Sequence, residues 1–331
     1  MMAERGLDTP LFVGGAAASA LHTAVRLATI YPNVHYGADA SATAVMAKKY
    51  MSDPEAFRAE QTEEQQKLRE LHEAAESRRS GGATKQEGVF APAGLFPDVP
   101  LTSVAAADLM DCFDWRLFAA VCGIKGEVPG DINNEAKASL EGAEAVLCAR
   151  FADCKREGDE IVGGGWRLPM LRGESCLADY LPAEGSAPFG LFAARVTGAE
   201  GDGLVAHAAR VTLAEAASEH LRRQFEAKLP EGQKLIMPGI GYPCCPDHSL
   251  KRDVLAALPA ELEIVLTDSC SMIPEASVCG LVIAHSEASY RDIRHITRKE
   301  YDDYAARRGF TEAEAKLFLS HLLYAAKLKK K

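Results

Sequence analysis

The chain lacks any run approaching the ~18 apolar residues that a membrane-spanning helix needs. Its start, Met1-Met-Ala-Glu-Arg-Gly6, has no basic segment followed by an apolar one, which removes an export signal and leaves a cytoplasmic protein as the expectation. An excess of positive charge is also missing: the formal net charge is −10, whereas a surface that tracks nucleic-acid phosphates needs a basic surplus. The basic Lys327–Lys331 end reads as solvated chain. The cysteines, nine at irregular spacing, are neither even in number nor framework-like, which points to reduced thiols. There is no Cys-x-x-Cys, no Gly-Lys-Ser/Thr phosphate loop and no internal repeat. What is present, 331 residues at 47% hydrophobic and 25% charged, suffices for two domains with cores.

Along the chain, Pro10–Val13 reads as a short buried strand, followed by Gly14-Gly15 and a small-residue helix over 19–30. A second strand, Asn33–Tyr36, leads to a helix ending near Met51. This is a βαβα piece of a doubly wound sheet, too small to bury a parallel sheet on both faces by itself. Residues 53–77 form a long polar helix, and Ser80-Gly-Gly-Ala-Thr84 breaks it. The expected division is therefore 1–77, a linker over 78–90, and a second domain over 91–331.

In the second domain the sequence predicts a helix over 104–111, an apolar helix from Trp115 to near Gly123, and another over 134–140. Strands are expected at 145–151, 160–162, 189–196, 263–267 and 277–284. A helix over 212–229 carries Leu213, Ala217, Leu221 and Phe225 on one side, with Thr212-x-x-Glu215 as its capping box. Thr297-x-x-Glu300 and Thr311-x-x-Glu314 open the last two helices, and Gly309 stops the first of these. Segregated strands and helices predict an α+β fold built on an antiparallel sheet. Asp114 reads either as the N-cap of the helix starting at Trp115 or as a ligand contact.

The most distinctive stretch is Met237–Asp253, with three prolines, two glycines and an aromatic between Leu235-Ile236 and a helix beginning near Ser249. Cys244, Cys245 and His248 are chemically able to ligate zinc or to serve as a nucleophile and base. No paired knuckle and no activating third group accompany them. The stronger reading is a rigid loop, Gly239 to Pro243, that hydrogen-bonds the edge of a flat polar ligand through its backbone while Tyr242 packs on it.

Gly241-Tyr-Pro-Cys-Cys-Pro-Asp-His248, Ser271-Met-Ile-Pro-Glu-Ala-Ser-Val-Cys-Gly280 and His285 resemble the activation domain of cobalamin-dependent methionine synthase. So do Phe113-Asp-Trp115, Cys176-Leu-Ala-Asp-Tyr180, Leu213-Ala-Glu-Ala216 and Tyr301-Asp-Asp-Tyr-Ala-Ala-Arg-Arg-Gly309. Pro10-Leu-Phe-Val-Gly-Gly-Ala16 and His22-Thr-Ala-Val25 resemble the end of that enzyme's Rossmann-like cobalamin domain. The resemblance implies a twisted antiparallel sheet with flanking helices and a bound S-adenosylmethionine whose methyl group remethylates cob(I)alamin. It further implies a cobalamin domain or corrinoid protein as partner and a flavodoxin-type reductant.

By the same resemblance Asp114, Glu215, Gly239, Ile240, Gly241, Tyr242, Pro243 and Tyr290 become S-adenosylmethionine contacts. Gly14, Gly15 and Ala40 become part of a cobalamin pocket. Met237 and Thr212 stand where the family carries arginines, and each loss removes a partner for the ligand carboxylate worth about 1.5–3 kcal/mol. Arg291, beside Tyr290, is the compensating candidate. The Asp-x-His-x-x-Gly segment that supplies the cobalt ligand is absent, so the chain is not expected to make methionine alone. A non-catalytic docking module for a corrinoid protein is the competing expectation.

Overall fold

The computed structural model describes residues 8–13, 20, 23–28, 30–37, 40–80, 88–199 and 201–323. The chain divides into two compact units, Met1–Glu87 and Gly88–Lys331.

In the first unit β1 (Leu11–Val13) pairs in parallel with β2 (Val34–Tyr36), Phe12 opposite His35. Between them the chain forms a π-helical turn, Thr23–Leu27. The regular helix expected over 19–30 is thus replaced, among the described residues, by a wider turn over Thr23–Leu27. Helix α1 (Ala40–Ser52) and the 27-residue α2 (Pro54–Ser80) follow as expected. Asp53 accepts the Ala56 amide at 3.0 Å, and Pro54 occupies the first helical position, where no amide donor is needed. Phe57 of α2 lies edge-on to the His35 ring at 4.9 Å, and Gln65 donates to the Val34 carbonyl at 2.8 Å, so α2 covers one face of the pair. His35 is buried against it, with Nε2 on Asn33 Oδ1 at 2.8 Å.

The second unit is organised on a seven-stranded antiparallel sheet in the order β6-β5-β4-β7-β11-β8, with β3 also on β4. Its strands are β3 (Val99–Ala105), β4 (Glu144–Glu157), β5 (Glu160–Gly163), β6 (Trp166–Pro169), β7 (Ala187–Thr197), β8 (Lys234–Ile236) and β11 (Ser277–His285). A separate pair joins β9 (Val265–Leu266) to β10 (Met272–Ile273). The helix expected over 104–111 is corrected: the chain stays in β3 through Ala105, and helix α3 is only Ala106–Leu109, tightened to a 3-10 turn over Met110–Cys112. Pairing of β3 with the start of β4, which local propensity cannot register, decides this.

Alternation along the central strands sends side chains to two cores. From β7, Phe192, Ala194 and Val196 join Leu213, Leu221 and Phe225 of helix α6 (Leu204–Glu226). The opposite set, Phe189, Leu191 and Ala193, joins Leu250 and Val254 of helix α7 (Leu250–Ala257). Helices α4 (Trp115–Val121) and α5 (Gly130–Ser139) lie on the α6 side. Both sheet faces are covered, which is why β7 is buried almost throughout instead of showing polar alternation. Helices α8 (Arg298–Arg308) and α9 (Glu312–Leu319) close a third cluster around Tyr304 and Phe318, each opened by the expected capping box.

Candidate functional site

The loop after β8 is a strand-like crossing held by main-chain bonds. Ile240 donates to Cys279 at 3.0 Å, Leu281 donates to Pro238 at 3.0 Å, and Gly239 bridges Gly280. The chain then folds tightly, Gly241 N to Cys245 O at 2.8 Å and Cys245 N to Tyr242 O at 2.8 Å, while Ile293 donates to Pro243 at 2.7 Å. Gly241 has φ +100, and a Cβ there would meet the His248 ring at 2.5 Å, so a side chain is excluded twice over. The expectation of backbone recognition can be given a polarity. The Ile240 amide is spent on β11 and the Gly241 and Tyr242 amides within the loop, while the Ile240 and Gly241 carbonyls accept none of the described bonds. The loop therefore offers acceptors, suited to an amino group on a flat ligand.

Tyr242 projects from this loop with 51% of its surface exposed and donates its hydroxyl to Glu215 Oε1 at 2.6 Å. Burial of the hydroxyl end, and then the Glu215 carboxylate, push the Tyr242 phenol well above its usual value, so it remains a donor. Glu215 is not a capping residue, which overturns the expected helix start. Helix α6 begins at Leu204, eight residues earlier than Thr212, after Gly203 at φ +101. Thr212 is buried in mid-helix, with Oγ1 donating to Ala208 O at 2.8 Å, the back-bond typical of a helical threonine. Glu215 is half-buried, and its Oε2 accepts none of the described bonds.

One, two and three turns further along α6 stand Glu219, Arg222 and Glu226. Arg222 pairs with Glu219 at 2.5 Å and with Glu226, and Arg223 pairs with Glu219 at 2.9 Å. These are partly exposed pairs of the kind worth ~0–1 kcal/mol each. Arg223 also donates to Asp111 O at 3.1 Å, which brings the Asp111–Asp114 turn against this row. Asp114 is the N-cap of α4: Oδ1 accepts the Arg116 amide at 2.8 Å and the Leu117 amide at 3.3 Å, and the residue is exposed. Its Oδ2 accepts none of the described bonds, so cap and surface carboxylate coexist.

Tyr290 lies on the other flank, 56% exposed, its hydroxyl accepting the Met237 amide at 2.9 Å. Burial raises its pKa, and the hydrogen bond from the Met237 amide works against that shift. Arg291 is exposed and donates Nε to Ser289 Oγ at 3.2 Å. Met237 is buried, so neither it nor Thr212 presents anything to a ligand.

The structure thus gathers Glu215, Tyr242 and Tyr290 along α6 with the 239–243 turn, and sets Asp114 near its far half. Sequence reasoning missed Glu219, Arg222 and Glu226. Successive steps of four, three and four residues from Glu215 on an amphipathic helix were the available signal. Gly14 and Gly15 lie outside the described residues, and Ala40 is the first residue of α1 with its side chain outside them.

Cys244 and Cys245 are buried, and burial first, then neighbouring negative groups, hold the Cys245 thiol well above its usual value. His248 Nδ1 receives Lys251 Nζ at 2.9 Å, and burial followed by that cation lowers the imidazole pKa. Among the described residues no three of His, Cys, Asp and Glu are grouped to hold a metal, and no helix is long and apolar enough to cross a membrane.

A crystal structure of the MetH reactivation domain bound to AdoHcy is 21% identical and superimposes at a TM-score of 0.62, covering 73% of this chain and 95% of that one; it shares the fold. Residues 174–309, which include Glu215, the 239–243 turn and Tyr290, match the family model of the vitamin B12 dependent methionine synthase, activation domain, and carry that domain's sequence signature.

Proposed function

We propose that the second unit binds S-adenosylmethionine along α6 and presents it to a reduced corrinoid, as the reactivation part of a cobalamin-dependent methionine synthase. When bound, S-adenosylmethionine supplies an electrophilic methyl group. The protein contributes positioning and charge. Glu215 faces the cationic centre, with Tyr242 holding one carboxylate oxygen and the other accepting none of the described bonds. The Ile240 and Gly241 carbonyls accept from the adenine amino group, and the exposed Tyr242 ring covers its face. Asp114 adds a second carboxylate, and Gly239 and Pro243 fix the turn. The observation that carries the reading is the Tyr242–Glu215 pair: a half-exposed aromatic fixed to a carboxylate, beside a turn whose Ile240 and Gly241 carbonyls accept none of the described bonds.

The corrinoid and a flavodoxin-type reductant come from a partner domain or protein. The first unit is read as the end of a cobalamin-binding domain, in which Gly14, Gly15 and Ala40 belong to the corrinoid pocket. Its parallel β1–β2 pair, with α2 on one face, supports this. The reading of a docking module without ligand binding is favoured by the burial of Met237 and Thr212, which leaves no cation at either position. Calorimetry with S-adenosylmethionine separates the two. Ligand binding predicts saturable heat that weakens about tenfold in Glu215→Ala, the loss of one charge-assisted contact. No heat at millimolar ligand, with capture of a corrinoid protein retained, establishes the docking module instead.

A further inference from the structure

We propose that His248 is a positioning residue for the 239–243 turn, an acid-sensitive prop that keeps the turn closed while its ring is neutral and releases it when the ring takes up a second proton. The consequence for a ligand rests on the reading of that turn as part of an S-adenosylmethionine site; the movement of the turn itself does not.

The prop stands directly against Gly241. A Cβ on that glycine would lie 2.5 Å from Cε1 of His248 and 2.9 Å from each ring nitrogen, so the backbone of the turn rests on the imidazole with no room between them. The ring is fixed in turn by Lys251 of α7, which is only 5% exposed and whose Nζ donates to His248 Nδ1 at 2.9 Å and to the Cys270 carbonyl at 3.1 Å. Cys270, fully buried at φ +59, holds a backbone conformation that few residues other than glycine adopt, and in it provides that carbonyl. An ammonium has only protons to give, so Nδ1 is the acceptor and the neutral imidazole carries its proton on Nε2.

A second proton on the ring turns Nδ1 into a donor facing a donor, and sets two cations at hydrogen-bond distance with one of them buried. Lys251 is the enclosed member and His248 the exposed one, so the imidazole is the group that swings away, and Gly241 loses its support. Asp247, next in sequence, favours the proton, but its oxygens are engaged by Ser249, Tyr304 and Arg308. His321, in the 3-10 turn Ser320–Leu322, opposes it as Lys251 does, and Tyr242 on the turn itself is committed to Glu215. Burial first, then Lys251, hold the imidazole below its usual value. The open turn therefore binds the proton more readily than the closed one: closure is at full strength above the ordinary histidine value of ~6.5 and weakens as the pH falls below it.

The test follows the Gly241 amide, which donates to Cys245 O at 2.8 Å inside the turn, by hydrogen exchange on the full chain, with S-adenosylmethionine calorimetry alongside. Between pH ~7.5 and ~5 its protection factor is expected to fall about tenfold, the equivalent of one charge-assisted hydrogen bond, and the ligand affinity with it. His248→Asn keeps an acceptor in the place of Nδ1 but cannot be protonated, so its protection should stay level with pH. Lys251→Met removes the opposing cation. The His248 ring, assigned by NMR from its loss in His248→Asn, should then titrate at higher pH than in wild type while the turn no longer opens, a separation that structural damage does not produce. The proposal is overturned if wild-type protection is level across this range, if His248→Asn loses protection as wild type does, or if Lys251→Met still opens on acidification. If Gly241 responds as stated and S-adenosylmethionine gives no heat at either pH, the prop stands and the functional reading fails.

Discussion

Replacing Asp247 by alanine should cost the second unit about 3–5 kcal/mol, the range for stripping one partner from a buried ionic network. Asp247 is fully buried within the Met237–Asp253 stretch, just before α7. Its Oδ1 accepts the Ser249 amide at 2.8 Å, and its Oδ2 accepts the Ser249 hydroxyl at 2.8 Å and the Tyr304 hydroxyl at 2.8 Å. Arg308, with its side chain only 8% exposed, approaches the same oxygen at 3.5 Å. Truncation leaves Tyr304 with only the longer contact to Pro169 O at 3.3 Å, and leaves Arg308 with Asp253 at 2.7 Å and Ser249 Oγ at 3.0 Å.

Because the arginine keeps Asp253, the loss should fall near the lower figure. The two tryptophans, Trp115 and Trp166, both lie in the second unit, so urea unfolding followed by tryptophan fluorescence reads that unit alone. The midpoint should drop at nearly constant slope. Asp247→Ala combined with Arg308→Met should recover part of the loss, since an apolar side chain costs less there than an uncompensated cation. A single-variant loss below about 1 kcal/mol, or a double variant no better than the single, would refute the idea that this network fastens the loop to α8.

Two further outcomes follow from local geometry. Gly241→Ala places a side chain at φ +100 and into the His248 ring, so the second unit should lose about 1–3 kcal/mol and its affinity for S-adenosylmethionine together; equal stability would mean that the turn relaxes freely. Burial, and then Arg58, lower the His35 pKa to about 4. The unfolded chain therefore binds the extra proton first, and the contribution is absent above pH ~6.5 and grows as the pH falls toward 4. Acidification through that window should destabilise the first unit by up to about 3 kcal/mol, read by hydrogen exchange across α1 and α2, and His35→Phe should flatten the response.

Features whose interactions close within a few residues were legible in the sequence. The Thr297 and Thr311 boxes cap α8 and α9 as expected, because hydroxyl and glutamate reach only neighbouring amides. The same four-residue pattern at Thr212 misled, since Leu204–Val211 already continue the helix and the threonine bonds backward to Ala208. Val99–Ala105 looked helical at its end because the strand is short and its partner lies some forty residues away.

The composition, the glycines and prolines of the 237–253 loop and the run of text shared with an activation domain determined the class of fold and where to look. They act through local dihedral limits and through periodicity, which a linear chain carries in itself. Only the tertiary structure decided that the loop's amides are already spent, that Glu215 belongs to a surface row with Glu219, Arg222 and Glu226, and that Tyr242 holds it in place. Those outcomes depend on which distant groups meet across β8, β11 and α6, and contacts of that range carry no signature in neighbouring residues.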